Sequence, residues 1–349
     1  MKIFVPGRLC LFGEHTDWAG GYRRLNPQLE VGYTLLVGTN QGVYAQVKPC
    51  LDQLVLRASV GEETNQITLP FEKQALLTEA KKGGFFSYAA GVAYQFLIHF
   101  DVGGVEIDNY LTDLPIKKGL SSSAAICVLV ARAFNRVYDL KMRQRGEMEF
   151  AYLGEIITPS RCGRMDQACA FGSPIAMIFD GDRTDIIELN TPEDLFFLIV
   201  DLGEAKNTQE ILNRLNQCYP FPTTEVHANV QKYLGNISYK ITQAAIDALQ
   251  KGDAEQIGIL MKQAQVEFDK HLIPACPQEL RANVLHQLLN FQAIQPYILG
   301  GKGVGSQGDG TAQFIVKDKQ TQEKVIEIIE SNFPQMQCFP LTIYAKKQD

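Results

Sequence analysis

Apolar residues recur along this chain at two different spacings, and the spacings predict strands in some segments and helices in others. Alternating or continuous apolar runs bounded by turn residues predict strands, over 3–12 with an interruption at Pro6-Gly7, and over 35–47, 54–59, 105–111, 175–179, 196–200, 312–316 and 338–345. Apolar residues three or four positions apart predict helices, over 85–100, 121–138, 148–156, 241–249, 254–268, 279–291 and 322–332.

The order of these segments predicts an α+β protein of two domains. The first half is rich in strands, whereas 207–291 is mostly helical and is followed by a few further strands. We place the domains at 1–190 and 191–349. The length of 349 residues is sufficient for two domains and a substantial core.

Composition restricts the classes of function. With 46% hydrophobic and 21% charged residues the chain is typical of a soluble globular protein, and a net charge of −6 argues against a nucleic-acid partner. No apolar run reaches transmembrane length and no signal peptide is present, so we expect no membrane partner and a cytoplasmic location. The eight cysteines are scattered without metal-ligand spacing, which is typical of buried thiols in a reducing compartment.

A serine-rich segment carries the most specific chemical signal. Residues 117–125 read Lys-Lys-Gly-Leu-Ser-Ser-Ser-Ala-Ala and lead into an apolar helix. A glycine lets the backbone approach a ligand closely, and the free N–H groups of a helix start attract anions. Serines also cap ordinary helices. The segment lacks the Gly-Lys-Ser ending of a Walker loop, and it predicts a phosphate site of another kind.

Two further polar clusters could contact a substrate. Gly-Glu-His-Thr-Asp at 13–17 follows Arg8 and offers the hydrogen-bond donors and acceptors that polyol recognition requires, although a solvated polar turn has the same composition. Asp166 follows Arg164 and precedes a small-residue stretch, where a carboxylate can act as a general base or pair with a cation. Glu155 is a second carboxylate that could bind a hard cation.

Residues 300–310 contain six glycines, which predicts a loop that packs its backbone closely against a neighbour.

The order of these motifs resembles that of the GHMP kinases, and most closely their galactokinase branch. The resemblance runs from residue 6 to about 314 through Pro-Gly-Arg, Gly-Glu-His-Thr-Asp, Gly-Leu-Ser-Ser-Ser-Ala-Ala, Cys-Gly-Arg-Met-Asp-Gln and the glycine-rich segment. It implies a two-domain α+β fold, with an N-terminal domain like ribosomal protein S5 domain 2, a ferredoxin-like C-terminal domain of helices and strands, and an active site between the domains. It also implies ATP- and Mg²⁺-dependent phosphorylation of a monosaccharide at its anomeric hydroxyl.

The resemblance further implies roles for individual residues. Arg8 and Asp166 would lie on either side of the acceptor hydroxyl as the catalytic pair, and Ser123 and Glu155 would hold Mg²⁺. The residues implied to bind ATP are Lys118, Gly119, Leu120, Ser121, Ser122, Ser123 and Ala124. Those implied to line the acceptor pocket are Glu14, His15, Asp17 and Gly163, and those of the C-terminal loop are Gly301, Gly303 and Gly305.

Departures from the galactokinase pattern leave the acceptor open. Arg23, Arg24 and Arg164 stand where the pattern is less basic, which suggests an acceptor with a carboxylate or phosphate. A neutral hexose, a uronic acid and a sugar phosphate all remain candidates for the small-molecule partner, and the protein could be a monomer or a homodimer. The alternatives are a mevalonate-type kinase, against which Arg8 and the Thr16-Asp17 pair argue, and a non-catalytic sensor of sugar and ATP.

Overall fold

The computed structural model describes residues 1–60, 63–114, 120–160 and 162–346. The chain forms two compact units, neither of which is continuous in sequence. The first comprises Met1–Arg8 and Gly38–Gly172, and the second comprises Leu9–Val37 and Ser173–Asp349. The expected domain boundary at 190 divides the chain differently and stays a prediction.

The first unit contains strands of a sheet and four helices. Its strands are the start of β1 (Lys2–Phe12), the second part of β2 (Gly32–Cys50), β3 (Gln53–Val60), β4 (Glu63–Pro70) and β5 (Gly104–Thr112). Helix α1 (Thr16–Gly21) belongs to the second unit. The helices of the first unit are α2 (Lys73–Lys82), α3 (Phe85–His99), α4 (Ser122–Val137) and α5 (Gln144–Ile156), and a 3₁₀ turn follows at Asp166–Ala170. Strand β5 lies between β2 and β3, antiparallel to β2 and parallel to β3.

Glycines bring α3 and α5 close together. A side chain on Gly91 would meet the Gly154 carbonyl oxygen at 2.2 Å, and one on Gly154 would meet the Val92 Cα at 2.5 Å. Only hydrogen is tolerated at such separations. The close crossing fixes the end of α5, which carries Glu155.

The second unit contains a four-stranded antiparallel sheet and most of the other helices. Its strands are the end of β1, the start of β2, β6 (Ile175–Asp180), β7 (Arg183–Glu188), β8 (Leu195–Asp201), β9 (Ile298–Gly303), β10 (Thr311–Val316) and β11 (Gln337–Ile343), and the sheet order is β11-β8-β10-β9. Its helices are α1 (Thr16–Gly21), α6 (Thr208–Asn216), α7 (Glu225–Lys232), α8 (Ser238–Lys251), α9 (Ala254–Leu272), α10 (Pro277–Leu280), α11 (Asn283–Leu289) and α12 (Lys319–Asn332).

Two apolar clusters form the core of this unit. One packs Phe314 and Val316 of β10 against Val325 and Ile329 of α12. The apolar residues whose spacing predicted α12 form the helix face that makes this contact. The other cluster includes Phe268 of α9 and Tyr233, which lies in a short π-helical segment, Tyr233–Ile237.

Strand β1 corrects the expected interruption at Pro6-Gly7, because it runs without a break from Lys2 to Phe12. Its sheet partner is β2, and a strand with one neighbour tolerates a proline. Gly7 is required by packing rather than by a turn, since a Cβ there would lie 2.4 Å from the Leu114 side chain.

Three other expectations were wrong or incomplete. The predicted helix 279–291 is two helices, broken where Ala282 adopts a left-handed φ of 44°. The predicted glycine-rich loop begins as strand β9, and its Asp309 accepts a hydrogen bond from the Leu285 N–H at 2.9 Å in the first turn of α11. The pattern analysis also missed β4, α2 and β7.

Among the residues that the structure describes, no helix combines the length and apolar character needed to cross a membrane.

Candidate active site

In the first unit, Arg8 and Asp166 come together although they lie 158 positions apart in sequence. Arg8 donates from Nη2 to Asp166 Oδ1, and the same oxygen accepts a hydrogen bond from Ser121 Oγ at 2.8 Å. The arginine side chain is 4% exposed, whereas that of Asp166 is 31% exposed. A buried cation therefore holds a carboxylate that remains accessible to a ligand.

The serine-rich segment begins α4, as the sequence predicts. Ser121 occupies the N-cap position with a left-handed φ of 57° and makes no side-chain capping bond, so the expected serine cap is absent at that residue. Its hydroxyl contacts Asp166 instead. The first-turn N–H groups, including those of Ser122 and Ser123, precede the first helical hydrogen bond and form an anion-attracting helix start. The expected ATP-binding residues Lys118 and Gly119 lie outside the described residues, whereas Leu120 and Ala124 are buried.

Glu155, expected as a ligand of a hard cation, is fully buried at the end of α5. Gln167 Nε2 donates to Glu155 Oε2 at 2.7 Å, and Ser160 Oγ donates to Oε1 at 3.2 Å. Burial raises the pKa of Glu155, and the negative charge of Asp166 raises it further against the hydrogen bonds from Gln167, Ser123 and Ser160. Neither Ser160 nor Gln167 was singled out from the sequence, because their contribution depends on the buried carboxylate beside them.

The chemistry of these donors suits a hard cation. Glu155, Asp166 and Ser123 contribute oxygen atoms only, and a cation would favour the ionised form of Glu155 that burial disfavours. No group of three or more His, Cys, Asp or Glu residues suited to a metal exists in the described ranges. The oxygen donors of Glu155, Asp166 and Ser123 fit an ion of the Mg²⁺ type, which commonly binds through one or two carboxylates together with phosphate oxygens.

The three arginines expected to attract an anionic acceptor are paired within the fold. Arg164 donates to both carboxylate oxygens of Glu149 and lies 4.4 Å from the centre of the Tyr152 ring. Arg23 donates to Asp180 at 2.5 Å, and Arg24 lies 3.3 Å from Asp182. Each of the three arginines therefore has a carboxylate partner within its own unit. Gly163, an expected pocket residue, is partly exposed beside Arg164.

In the second unit, the Gly13–Asp17 segment is a folded turn rather than a solvated one. Glu14, His15 and Thr16 are all buried, and Asp17 is half-buried in the first turn of α1. Gly13 has a φ of +91°, and a Cβ there would lie 2.1 Å from the Tyr33 carbonyl oxygen. Thr16 Oγ1 closes the turn by donating to the Gly13 carbonyl at 2.7 Å. The glycine is therefore needed to aim Glu14 and His15 inward.

His15 is a neutral, oriented imidazole. Burial lowers its pKa to about 4, and the positive charges of Lys206 and Lys302 also lower it, while the Ser306 backbone opposes them. Trp18 donates from Nε1 to His15 Nδ1 at 3.2 Å, so Nε2 carries the hydrogen of the neutral ring. Trp18 in turn packs edge-on against Tyr219, with ring centres 5.3 Å apart.

Glu14 forms a buried ion pair with Lys302, which lies within the glycine-rich segment at 300–310. Lys302 Nζ donates to Glu14 Oε1 and, at 2.9 Å, to the Gly303 carbonyl. The Lys302 side chain is 1% exposed and the Glu14 side chain is 4% exposed. A lysine within an apolar, glycine-rich strand could have indicated a buried ion pair, since lysine is almost never fully buried without a partner.

The glycines of the C-terminal segment are required by close packing. A Cβ on Gly301 would lie 2.4 Å from the Phe314 ring, and one on Gly303 would lie 1.9 Å from Gln307 Oε1. Gly305 has a φ of +65°. The segment therefore holds Lys302 in place, and the Gly303 N–H donates to Gln265 Oε1 at 2.8 Å.

Comparison with known proteins places this architecture in a family. Residues 87–173 match the GHMP kinases N terminal domain. A galactokinase from Thermotoga maritima is 30% identical over 359 residues, which cover 95% of this chain and 93% of the relative. The chain belongs to the GHMP kinases, in their galactokinase-like branch. It is therefore a sugar kinase, and membership of a kinase family implies the use of ATP.

Other members of the family agree with the fold. A galactokinase from Thermococcus kodakarensis is 27% identical over 365 residues, covering 96% of this chain and 95% of the relative. Lactococcus lactis galactokinase complexed with galactose superimposes with a TM-score of 0.71 at 17% identity, covering 99% of this chain and 94% of that one. L. major mevalonate kinase in complex with R-mevalonate superimposes with a TM-score of 0.70 at 18% identity, covering 100% of this chain and 97% of that one. The GHMP kinase fold expected from the sequence is confirmed.

Proposed function

We propose that the protein transfers the terminal phosphoryl group of ATP, with Mg²⁺, to the anomeric hydroxyl of a neutral monosaccharide of the galactose type. The observation that carries this proposal is the accessible Asp166 carboxylate, held by buried Arg8 and by Ser121 at the start of α4. The names of the relatives, which are galactokinases, support the sugar class.

The residues of the first unit supply the chemistry in this proposal. Phosphoryl transfer depends mainly on positioning and charge neutralisation. Both contacts of Asp166 fall on Oδ1, so Oδ2 accepts the proton of the acceptor hydroxyl. Arg8 orients Asp166 and stabilises negative charge on the transferring group.

The phosphate and metal ligands follow the same proposal. The segment Lys118–Ala124 binds the ATP phosphates through backbone N–H groups and the helix start. Ser123 and Glu155 hold Mg²⁺, which when bound neutralises charge on the phosphate oxygens. Glu14, His15, Asp17 and Gly163 bind the acceptor, and Gly301, Gly303 and Gly305 keep the C-terminal segment packed.

A neutral acceptor is favoured over a uronic acid or a sugar phosphate. Arg23, Arg24, Arg164 and Lys302 are each paired with a carboxylate, so none offers an unneutralised charge for an anionic substrate. Glu14 and a neutral His15 instead present hydrogen-bonding groups of the kind that hydroxyls satisfy. A site built for hydroxyls discriminates strongly against molecules that lack them.

The test is ADP release with ATP and Mg²⁺ across a panel of galactose, N-acetylgalactosamine, arabinose, fucose, glucuronate, galacturonate, heptose phosphates and mevalonate. We expect turnover with a neutral sugar, and a phosphorus NMR signal coupled to the anomeric proton of the product. Asp166→Asn should abolish turnover while calorimetry still detects ATP binding. Turnover of mevalonate alone would favour the mevalonate-type alternative, and ATP and sugar binding without turnover would favour the sensor.

A further inference from the structure

The buried pair of Glu14 and Lys302 lies in the second unit, in a polar cluster enclosed by the protein. The two residues are 288 positions apart, and both side chains are nearly inaccessible. Removing two charges from water is costly, and a well-packed apolar pair of similar volume is often as stable. Stability of the fold therefore does not explain why this position carries a lysine.

Buried polar atoms around the pair lack hydrogen-bond partners among the described residues. Gln313 is the register neighbour of Lys302 on the adjacent strand, and its Oε1 is one such atom. Gln307 Oε1 is another, and His15 Nε2 is a third, although the His15 ring interacts with the Ser306 backbone. Native proteins rarely leave several such atoms unsatisfied. Their concentration here indicates a polar ligand rich in hydrogen-bonding groups.

We propose that Lys302 is a positioning residue for the acceptor sugar, acting through Glu14: its ammonium group keeps Glu14 ionised and oriented, so that the carboxylate accepts hydrogen bonds from sugar hydroxyls. The inference rests on the proposed function. Without the lysine, the buried Glu14 would take up a proton and become a donor. The pocket would then present the wrong hydrogen-bonding pattern to the same hydroxyls.

The groups around the pair define its pH behaviour. Tyr233 of the π-helical segment faces Glu14, and its pKa is raised mainly by burial and then by that carboxylate, with Asp269 and Glu267 of α9 contributing. Lys206 and Lys302 both act on His15. Lys302 contacts Glu14 directly. Its removal should therefore make sugar binding depend on pH where the wild-type pair is insensitive.

The experiment compares the kinetics of Lys302→Met with those of the wild type. We expect the sugar KM to rise at least about tenfold, with kcat and the KM for ATP changed by less than about threefold, which is the signature of lost acceptor binding. We also expect the sugar KM of the variant to vary between about pH 6 and pH 9, where that of the wild type stays flat.

Two further variants separate positioning from folding. Glu14→Gln combined with Lys302→Met removes both charges of this pair and leaves neither one unpaired, so it should melt close to the wild type and still show the raised sugar KM. Arg132→Met breaks a largely buried pair with Glu147 in the first unit, and it should lower Tm without changing the sugar KM.

Three results overturn the proposal or its basis. A folded Lys302→Met enzyme with a wild-type sugar KM and pH profile would make Lys302 purely structural. Recovery of the sugar KM in the double variant would show that the charge on Glu14 is not used. Absence of sugar turnover in the wild type would instead refute the proposed function, and it is recognised before any variant is made.

Discussion

Acidification should destabilise the folded protein through a single buried residue, His15. The imidazole is buried and its Nδ1 accepts from Trp18, so the neutral form is the one that the fold accommodates. An unfolded chain exposes the same ring to water, where it takes up a proton near its ordinary pKa of about 6.5. The folded and unfolded states therefore differ in proton uptake across a defined interval of pH.

The sign and size of the effect follow from the two pKa values. The pKa of His15 is lowered from 6.5 to about 4 by burial and by Lys206 and Lys302. Between these values the unfolded state binds more protons, so the free energy of unfolding rises with pH and is lost as the pH falls from 6.5 to 4. One pKa unit corresponds to about 1.4 kcal/mol, which gives a loss of about 3 kcal/mol over the interval.

Urea unfolding at a series of pH values from about 7 to 4.5 measures this loss when the wild type is compared with His15→Asn. Asparagine tolerates the left-handed φ of 68° at this position and does not titrate. The stability of the wild type relative to the variant should fall by about 1.4 kcal/mol for each pH unit below 6.5. Parallel loss of stability in the two proteins would refute the reasoning.

His286 provides a control of opposite sign. Its pKa is raised, first by the hydrogen bond to Asp269 and then by the charges of Asp269 and Asp309, against a smaller effect of burial. Its contribution to stability is therefore fully present below the unfolded pKa and is lost as the pH rises through the folded value. His286→Gln should remove a stabilisation seen at low pH, where His15→Asn removes a destabilisation.

Other predictions concern packing, metal binding and redox state. In thermal melts, Gly20→Ala should lower the free energy of unfolding by about 2 kcal/mol, since its Cβ would lie 2.4 Å from the Phe179 carbonyl oxygen. The neighbouring Gly21→Ala is the matched control: its Cβ meets nothing within 4 Å, so it should be neutral or stabilise by about 0.5 kcal/mol. Glu155→Gln should raise the Mg²⁺ concentration for half-maximal rate at least about tenfold, and an unchanged Mg²⁺ titration would remove Glu155 from the metal site. Reductant should leave Tm unchanged, because all eight cysteines are free thiols.

The elements that the sequence predicted well are those whose apolar spacing meets a core. Helix α4 was expected over 121–138 and extends over Ser122–Val137, and α12 places its predicted apolar face on β10. Strands β4 and β7 were missed because both are largely polar and partly exposed. The break at Ala282 was missed because nothing in the apolar spacing marks a left-handed residue.

The candidate site, like the fold, could be predicted from the sequence only in part. Short motifs identified the serine-rich helix start, the Gly-Glu-His-Thr-Asp turn and Asp166, because glycines and polar groups at fixed spacing leave a local record. The ion pairs of Arg23 and Arg164 could not be predicted, since no local pattern connects these arginines to the carboxylates that contact them. The sequence shows the positive charge of these arginines, but it does not show which carboxylates pair with them.

The sequence by itself determined the family and the class of fold and predicted candidate site residues, because motifs and apolar spacing extend over only a few neighbouring positions. The tertiary structure alone decided which groups meet and which are buried: Arg8 with Asp166 across 158 positions, and Glu14 with Lys302 across 288. Burial and pairing set the strength of a charge and the protonation state of an acid. Both depend on neighbours brought together by folding, so neither can be read along the chain.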